Sequence, residues 1–480
     1  MIQKRILFSN SLALLVNRLT QSITTFVLVA AIARMLGPYQ LGQYMLAFSY
    51  YYVFMTLASQ GFKTLFTREL ARNPLETPVY LVSGSFLQLL FSILGYAVLL
   101  IVVFLLPYSA DTRTVCYVMG LSIIPFSLSN VTESIFQAQE KMHLIAMSTV
   151  PVYLLRLLVI ISLMSAKYDI SLVSAVIAVS ETIILGIEWF LVSKFVSYKW
   201  QLDLAFMWRT TKAVRTFLVI EGISVFKDRI QVLTLSLLGG EVVVGLYGAV
   251  AQLMQPFQII SYSLVIAIFP SMSKAVTLGK EKQRHLTETT VEILLLVALP
   301  LIIGLLFVGQ DLLVLLYHNP KFAQANTALS LLAFGLITAC FSRPLSYILV
   351  ANGFEKINLW EVLTTTTLGG LLSIPLVSRY QLNGAATGVL LVQIVGCGIY
   401  IYYVYKRLFK LNLWQILRRP LLMSLLIVIV FLLLQKYSHN LLVTMLTATL
   451  AYSLAMGGIG IYTFGAEAVW AKLLPNKKSS

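Results

Sequence analysis

Five basic residues, Arg18, Arg156, Lys227, Arg229 and Arg343, stand inside long apolar runs of this 480-residue chain. Five acids share those runs: Glu133, Glu181, Glu188, Glu221 and Asp228. A charge at the centre of a membrane helix costs about 2.5–3.5 kcal/mol on insertion scales, so it faces a cavity or a partner. Taken singly, each is explained about as well by a structural ion pair or a snorkelling side chain. That reading is stronger for Glu133 and Glu188, which lie toward helix ends. Taken together, the group points to a water-filled path. The densest cluster is Lys227-Asp228-Arg229, about 15 Å by helical rise from the Gly239 end of its run. Consecutive helical side chains point about 100° apart, so these three cannot share one partner.

The elements that must position these charges follow from composition. The chain is 59% hydrophobic and 11% charged, whereas a soluble domain carries about 25% charged residues. Apolar stretches long enough to cross a hydrocarbon core recur throughout. The expected spans are 11–35, 41–62, 79–106, 113–136, 145–165, 170–193, 215–238, 242–272, 289–308, 323–350, 358–377, 384–405, 420–436 and 441–464. The fold class is therefore an all-α integral membrane protein of about fourteen helices. The first run is read as an uncleaved helix, because it is long for a signal peptide and contains Arg18.

Loop charge sets the orientation. With a cytoplasmic N-terminus, loops on that side hold about 24 of the 35 basic residues. The opposite loops hold about six, namely Arg34, Arg113, Lys167, Lys321, Arg379 and Lys436. Both termini are then cytoplasmic. The non-cytoplasmic loops are short, the longest running from about Gln310 to Phe322, which leaves no room for an external catalytic domain. The net charge of +16 reads as topology, with some attraction to anionic lipid, and no nucleic-acid module is present. The three cysteines and four histidines are scattered, so neither a disulfide framework, a metal site nor a cofactor is expected.

Two echoes suggest duplication. Gly37-x3-Leu41-Gly42-x-Tyr44 recurs as Gly240-x3-Val244-Gly245-x-Tyr247, six helices later. Ala138-Gln139-Glu140-Lys141-Met142-x-Leu144 is echoed by Ala351-x3-Glu355-Lys356-Ile357-x-Leu359. Parallel six-helix repeats with a site at their interface are a known transporter architecture. The first echo places Arg18 opposite Glu221 at equal depth, where opposite charges can pair as a cytoplasmic gate closes. The second places Asn130 opposite Arg343, and Pro125 and Pro344 are expected to kink the two helices.

The chain also resembles a known group. Ala33-Arg34-Met35-Leu36-Gly37-Pro38-x2-Leu41-Gly42-x-Tyr44, then Thr67-Arg68-Glu69-Leu70-Ala71-Arg72, is similar to the start of bacterial polysaccharide flippases. So are Asp228-Arg229, Leu237-Leu238-Gly239, Val244-Gly245-x-Tyr247, Phe269-Pro270-x2-Ser273 and Asn383-Gly384-Ala385-Ala386. These motifs mark the Wzx-like O-antigen branch of the multidrug/oligosaccharidyl-lipid/polysaccharide exporter superfamily, from about Lys4 to Lys410.

The resemblance implies an N-lobe over 1–194, a cytoplasmic linker over 195–214, a C-lobe over 215–405 and two extra helices with a tail over 406–480. It implies two lobes around a central cavity, and no catalysis. The expected activity is flipping of a polyprenyl-pyrophosphate-linked glycan from the cytoplasmic to the periplasmic leaflet by alternating access. Arg18, Arg156, Lys227, Arg229 and Arg343 suit the binding of its anionic groups. Glu221, Asp228 and Glu181 are candidates for a gate or for coupling to a proton or sodium ion. A polymerase and other polysaccharide assembly proteins are possible partners. The rivals are a peptidoglycan-precursor flippase and a cation-coupled drug antiporter of the same superfamily. More distant are a membrane glycosyltransferase or polymerase, and an assembly scaffold.

The repeat register generates a charge-exchange test. Arg18→Glu alone should impair transport, and Arg18→Glu combined with Glu221→Arg should partly restore it. A double exchange as inactive as the single one counts against the gate.

Overall fold

The computed structural model describes residues 2–196 and 200–437, together with Thr447 and Leu450. Its helices are α1 (Ile2–Met55), α2 (Gly61–Arg72), α3 (Thr77–Val79), α4 (Ser85–Leu105), α5 (Ala110–Gly120), α6 (Ile123–Ala138), α7 (Met142–Ser165), α8 (Ile170–Ser193), α9 (Leu204–Leu238), α10 (Gly240–Thr277), α11 (Lys280–Tyr317), α12 (Asn326–Ala351), α13 (Glu355–Arg407) and α14 (Leu413–Tyr437). No strand occurs among the described residues. Ten helical stretches among them are long and apolar enough to cross a membrane. Large apolar side chains such as Leu94, Leu105, Leu158 and Leu371 lie exposed on these helices, as a lipid-facing surface requires. The protein is a multi-pass, all-helical membrane protein.

Every expected span from 11–35 to 420–436 falls on helical backbone, apart from terminal residues and a turn at Leu121 and Ser122. The span 441–464 and the tail lie outside the described residues. The elements do not match the spans one to one. α1 contains the first span and most of the second, broken at Gly37, where φ is 81°. Such a φ is open to glycine and strained for residues with a Cβ. Pro38 follows at once, where its fixed φ and missing N–H suit a helix start. α13 likewise contains two spans, broken at Gln381. The turn before α6 precedes Pro125 by a few residues, so a helix boundary stands where a kink was expected.

α9 begins at Leu204, about three turns before its apolar run. Asp203 starts it: its Oδ1 accepts from the Phe206 N–H at 2.8 Å, an N-cap bond worth about 1 kcal/mol. Most of the expected linker is therefore helix. α9 is not among the ten apolar stretches, because Glu221, Lys227, Asp228 and Arg229 interrupt it.

The backbone forms two compact units. One comprises the described residues up to Leu253 with Leu316–Ala325 and Val362–Val389. In it a core of Phe62, Phe66, Ile135, Phe136, Val192 and Phe206 packs the helix ends near Arg72. Tyr80 lies edge-on to Phe66 at 5.0 Å and to Phe206 at 4.6 Å, which fastens the start of α9 to α2. The other unit comprises Met254–Leu315, Asn326–Glu361 and the described residues from Leu390 onward. There α14 lies along α11: Phe431 stacks on Phe307 at 5.3 Å, and Arg419 donates to Glu292 at 3.3 Å.

Within the first unit the repeated glycine segments meet each other. Gly37 and Gly240, equivalent in the repeat, both have left-handed φ, 81° and 78°. Gly42 abuts the Glu241 carbonyl, and its repeat equivalent Gly245 abuts the carbonyl of Pro38, the equivalent of Glu241. The contact is reciprocal, as a local two-fold relation demands. Small residues permit such backbone approach in a membrane. Two hydroxyl relays close the same region. Tyr50 and Tyr108 hydroxyls lie 2.9 Å apart, and Tyr108 reaches Ser236 Oγ at 2.7 Å. Gln43 Nε2 donates to Thr112 Oγ1 at 3.1 Å, which donates to Glu241 Oε1 at 2.8 Å.

An alanine Cβ at Gly42 would sit 1.7 Å from the Glu241 carbonyl oxygen, and at Gly245 2.0 Å from that of Pro38. At Gly240 it would meet no atom within 4 Å. Gly240→Ala should therefore cost only the left-handed strain, about 1–2 kcal/mol. Gly42→Ala and Gly245→Ala should cost more, since backbone cannot move aside as a side chain does. Thermal unfolding of the detergent-solubilised protein checks this order.

Candidate functional site

A cavity of about 470 Å³ opens within the first unit, inside the range of about 300–1,000 Å³ typical of small-molecule sites. Its wall includes Arg18 and the aromatic residues of α1, facing Arg156 of α7 and Glu181 of α8. Tyr44, Phe48 and Tyr52 lie four residues apart on α1 and form one stripe, because i and i+4 share a helix face. Their rings stack at 6.1 and 6.2 Å, each pair 20° from parallel. Tyr51 stands beside the stripe, edge-on to Phe126 of α6 at 6.2 Å.

The cations of this unit differ in their compensation. Arg156 Nη1 donates to Glu181 Oε1 at 2.9 Å and to Ser180 Oγ at 3.3 Å, and its guanidinium lies 4.7 Å from the Tyr153 ring centroid. This pair is electrically closed. Arg18 lines the cavity, is exposed, and has no salt bridge among the described residues. Arg229 reaches the outer side of the stripe, 4.5 Å from the Tyr52 centroid and 5.3 Å from Phe48. Its buried Nε has no hydrogen-bond partner. Ring quadrupoles, each worth about 0.5–2 kcal/mol, act on it together with the carboxylate of the adjacent Asp228.

The structure thus gathers Arg18, Arg156, Arg229 and Glu181 in or beside one cavity. Asp228 is exposed and Glu221 partly buried, and neither forms a salt bridge among the described residues. Arg18 and Glu221 are unpaired with each other here. Lys227 is partly buried on α9. Arg343 belongs to the second unit, where Nη1 donates to the Gln258 carbonyl at 2.8 Å and Nη2 to the Gln258 side chain. The aromatic stripe carries no charge to mark it, although its four-residue spacing is visible in the sequence. The hydroxyl relays had no such signal. Among the described residues no group of three or more His, Cys, Asp or Glu is arranged to hold a metal.

Residues 7–276, including the whole aromatic stripe, Arg156, Glu181 and Arg229, match the family described as polysaccharide biosynthesis protein. The chain belongs to that family. The capsular polysaccharide biosynthesis protein CapF of Staphylococcus aureus is 30% identical over 164 residues, which cover 32% of this chain and 41% of CapF. The fold of this polysaccharide biosynthesis protein is similar to that of the lipid II flippase MurJ in an inward closed conformation. The TM-score is 0.74 at 15% identity, covering 95% of this chain and 99% of MurJ. An inward-facing multidrug resistance transporter of the MATE family, in the MOP superfamily, gives 0.65 at 13% identity, covering 80% and 94%.

In this family member, the Arg156–Glu181 pair yields a double-mutant test. The side chains are 13% and 8% exposed. Removing one partner of a buried pair costs about 3–5 kcal/mol, much of it from the charge left behind. Glu181→Gln should therefore destabilise the solubilised protein by about 3 kcal/mol. Adding Arg156→Gln should recover part of that loss in denaturant unfolding.

Proposed function

We propose that this polysaccharide biosynthesis protein flips a polyprenyl-pyrophosphate-linked oligosaccharide, a polysaccharide or O-antigen repeat unit, across the bacterial inner membrane. The observation that carries the reading is a cavity with a cation in its wall, Arg18, that has no salt bridge among the described residues, and a second cation, Arg229, against the aromatic stripe beside it. Guanidinium forks match phosphate oxygens. Ring faces suit the apolar faces of sugars, and Gln21, Thr24 and Gln60 in the same wall offer hydrogen bonds to hydroxyls. A drug antiporter for organic cations needs the opposite polarity, and the cavity's acid, Glu181, is already neutralised by Arg156. Lys227 and Arg343 are further candidates for binding the same anionic groups.

Transport proceeds by alternating access, with both termini cytoplasmic, an N-lobe over 1–194 and a C-lobe over 215–405. No bond is made or broken in the glycan. A polymerase and other assembly proteins act on the delivered unit. A second reading, flipping of the peptidoglycan precursor, draws on the likeness to the MurJ fold and needs the same pyrophosphate chemistry.

Reconstitution into liposomes tests both. A fluorescent polyprenyl-pyrophosphate oligosaccharide should become accessible to an impermeant quencher only with protein present. Arg229→Gln should slow this about tenfold, the worth of one charge-assisted hydrogen bond. Arg229→Lys should restore little, because an ammonium lacks the fork. A peptidoglycan precursor flipped faster than the oligosaccharide selects the second reading. Organic-cation transport without glycan flipping rejects both.

A further inference from the structure

Glu188, on α8, lies outside the cavity wall and is fully buried, with 0% exposure. Val131 and Ile135 of α6, Ile145 of α7 and Val192 of α8, on the same three helices as Glu188 and its partners, belong to the apolar core near the Arg72 end. Its carboxyl oxygens meet two hydroxyls: Oε2 lies 2.6 Å from Thr132 Oγ1 of α6, and Oε1 lies 3.1 Å from Ser148 Oγ of α7. The charged and titratable groups facing it from the surrounding helices are Glu133 on α6, Lys63 on α2 and Tyr153 on α7. Lys63 is already bound to Glu133 in a salt bridge. One cation and two acids leave a charge of −1 with Glu188 ionised, and zero with Glu188 protonated. A lone carboxylate in an apolar core costs several kcal/mol.

A hydroxyl has one proton to donate. Thr132 Oγ1 is 2.7 Å from the Ser129 carbonyl as well as 2.6 Å from Glu188. Ser148 Oγ is 2.9 Å from the Ile145 carbonyl as well as 3.1 Å from Glu188. Each hydroxyl therefore has two acceptors within reach and satisfies one at a time. With Glu188 protonated, Thr132 gives its proton to Ser129 and accepts from Glu188 Oε2. With Glu188 ionised, both hydroxyls rotate and donate to the carboxylate. The site has bonded arrangements for both states, related by two hydroxyl rotations and no movement of heavy atoms.

We propose that Glu188, held by Thr132 and Ser148, is a proton-binding site that couples a pH gradient to the transport cycle. The coupling rests on the flippase reading; the proton site does not. On loading, a hydronium ion transfers its proton to Glu188 Oε2, an O–H bond forms and water is left. On release, that bond breaks, water takes the proton, and the carboxylate keeps the electron pair. Glu133, next to Thr132 in sequence, and its partner Lys63 have side chains 16% and 22% exposed and give the proton a partly hydrated approach.

Two measurements on the full chain test this separately. Infrared spectroscopy of the purified protein at neutral pH should show a protonated carboxyl band that Glu188→Gln removes. Thr132→Val should shift that band, because it deletes the partner of Oε2. A Glu188→Gln spectrum identical to wild type overturns the proton site. If that variant does not fold, an unshifted band in Thr132→Val overturns it instead. In liposomes, an imposed pH gradient should accelerate flipping by the wild type, and Glu188→Gln should fall to the rate seen without a gradient. A wild type indifferent to the gradient, or a Glu188→Gln variant with the full response, overturns the coupling. If the wild type flips no polyprenyl-linked glycan at all, the flippase reading and the coupling fall, and the infrared band still decides the proton site.

Discussion

Backbone meets backbone where Gly42 faces Glu241 and Gly245 faces Pro38, and the geometry of the first unit depends on that approach. Lipid removes most of the hydrophobic drive between helices, so close van der Waals contact must hold them. Any side chain at these two positions would push the segments apart. The left-handed turns at Gly37 and Gly240 aim both segments at the contact. Bringing α10 against α1 also brings the end of α9 there, and with it Arg229 over Tyr52 and Phe48. The hydroxyl relays through Tyr108 and Thr112 then satisfy the polar groups that this packing buries.

Electrostatics in the unit follows a division of labour. Arg156 and Lys63 each have a carboxylate partner, and those pairs hold helices together. Arg18 has no partner of that kind among the described residues, and Arg229 is stabilised by ring faces, which leave its hydrogen-bonding edge partly unused. A cation held by π-electrons keeps its donors, whereas one held by a carboxylate gives them up. The same residue type therefore serves structure at one site and keeps unshared donors at another.

Much of this was legible in the sequence. The spans were readable because apolar runs have a minimum length in a bilayer. The repeat was readable because Gly37 and Gly240 occupy conformations that glycine adopts without strain. The start of α9 was not, since its first turns carry Trp208, Arg209, Lys212 and Arg215, which read as a loop when apolarity is the guide. The link from Tyr50 through Tyr108 to Ser236 joins residues 58 and 128 positions apart, and no local spacing announces it. Glu188 looked like a helix-end residue able to reach water. Its burial is set by neighbouring helices, which a single helix pattern does not contain.

The stripe of Tyr44, Phe48 and Tyr52 has a consequence for ligand choice. Its rings repeat at 6.1 and 6.2 Å, about one helical turn and comparable to the length of a single sugar ring. On the flippase reading proposed above, a glycan sliding off one ring would meet the next before contact is lost, so neighbouring registers would be close in energy. The stripe would then act as a rail and not as a mould. It would grade ligands by whether they present flat apolar faces, while tolerating variation in sugar sequence and length. Discrimination among glycans would fall to the charged anchor at the end of the chain, and a carrier built this way should be broader in its cargo than an enzyme working on the same glycan.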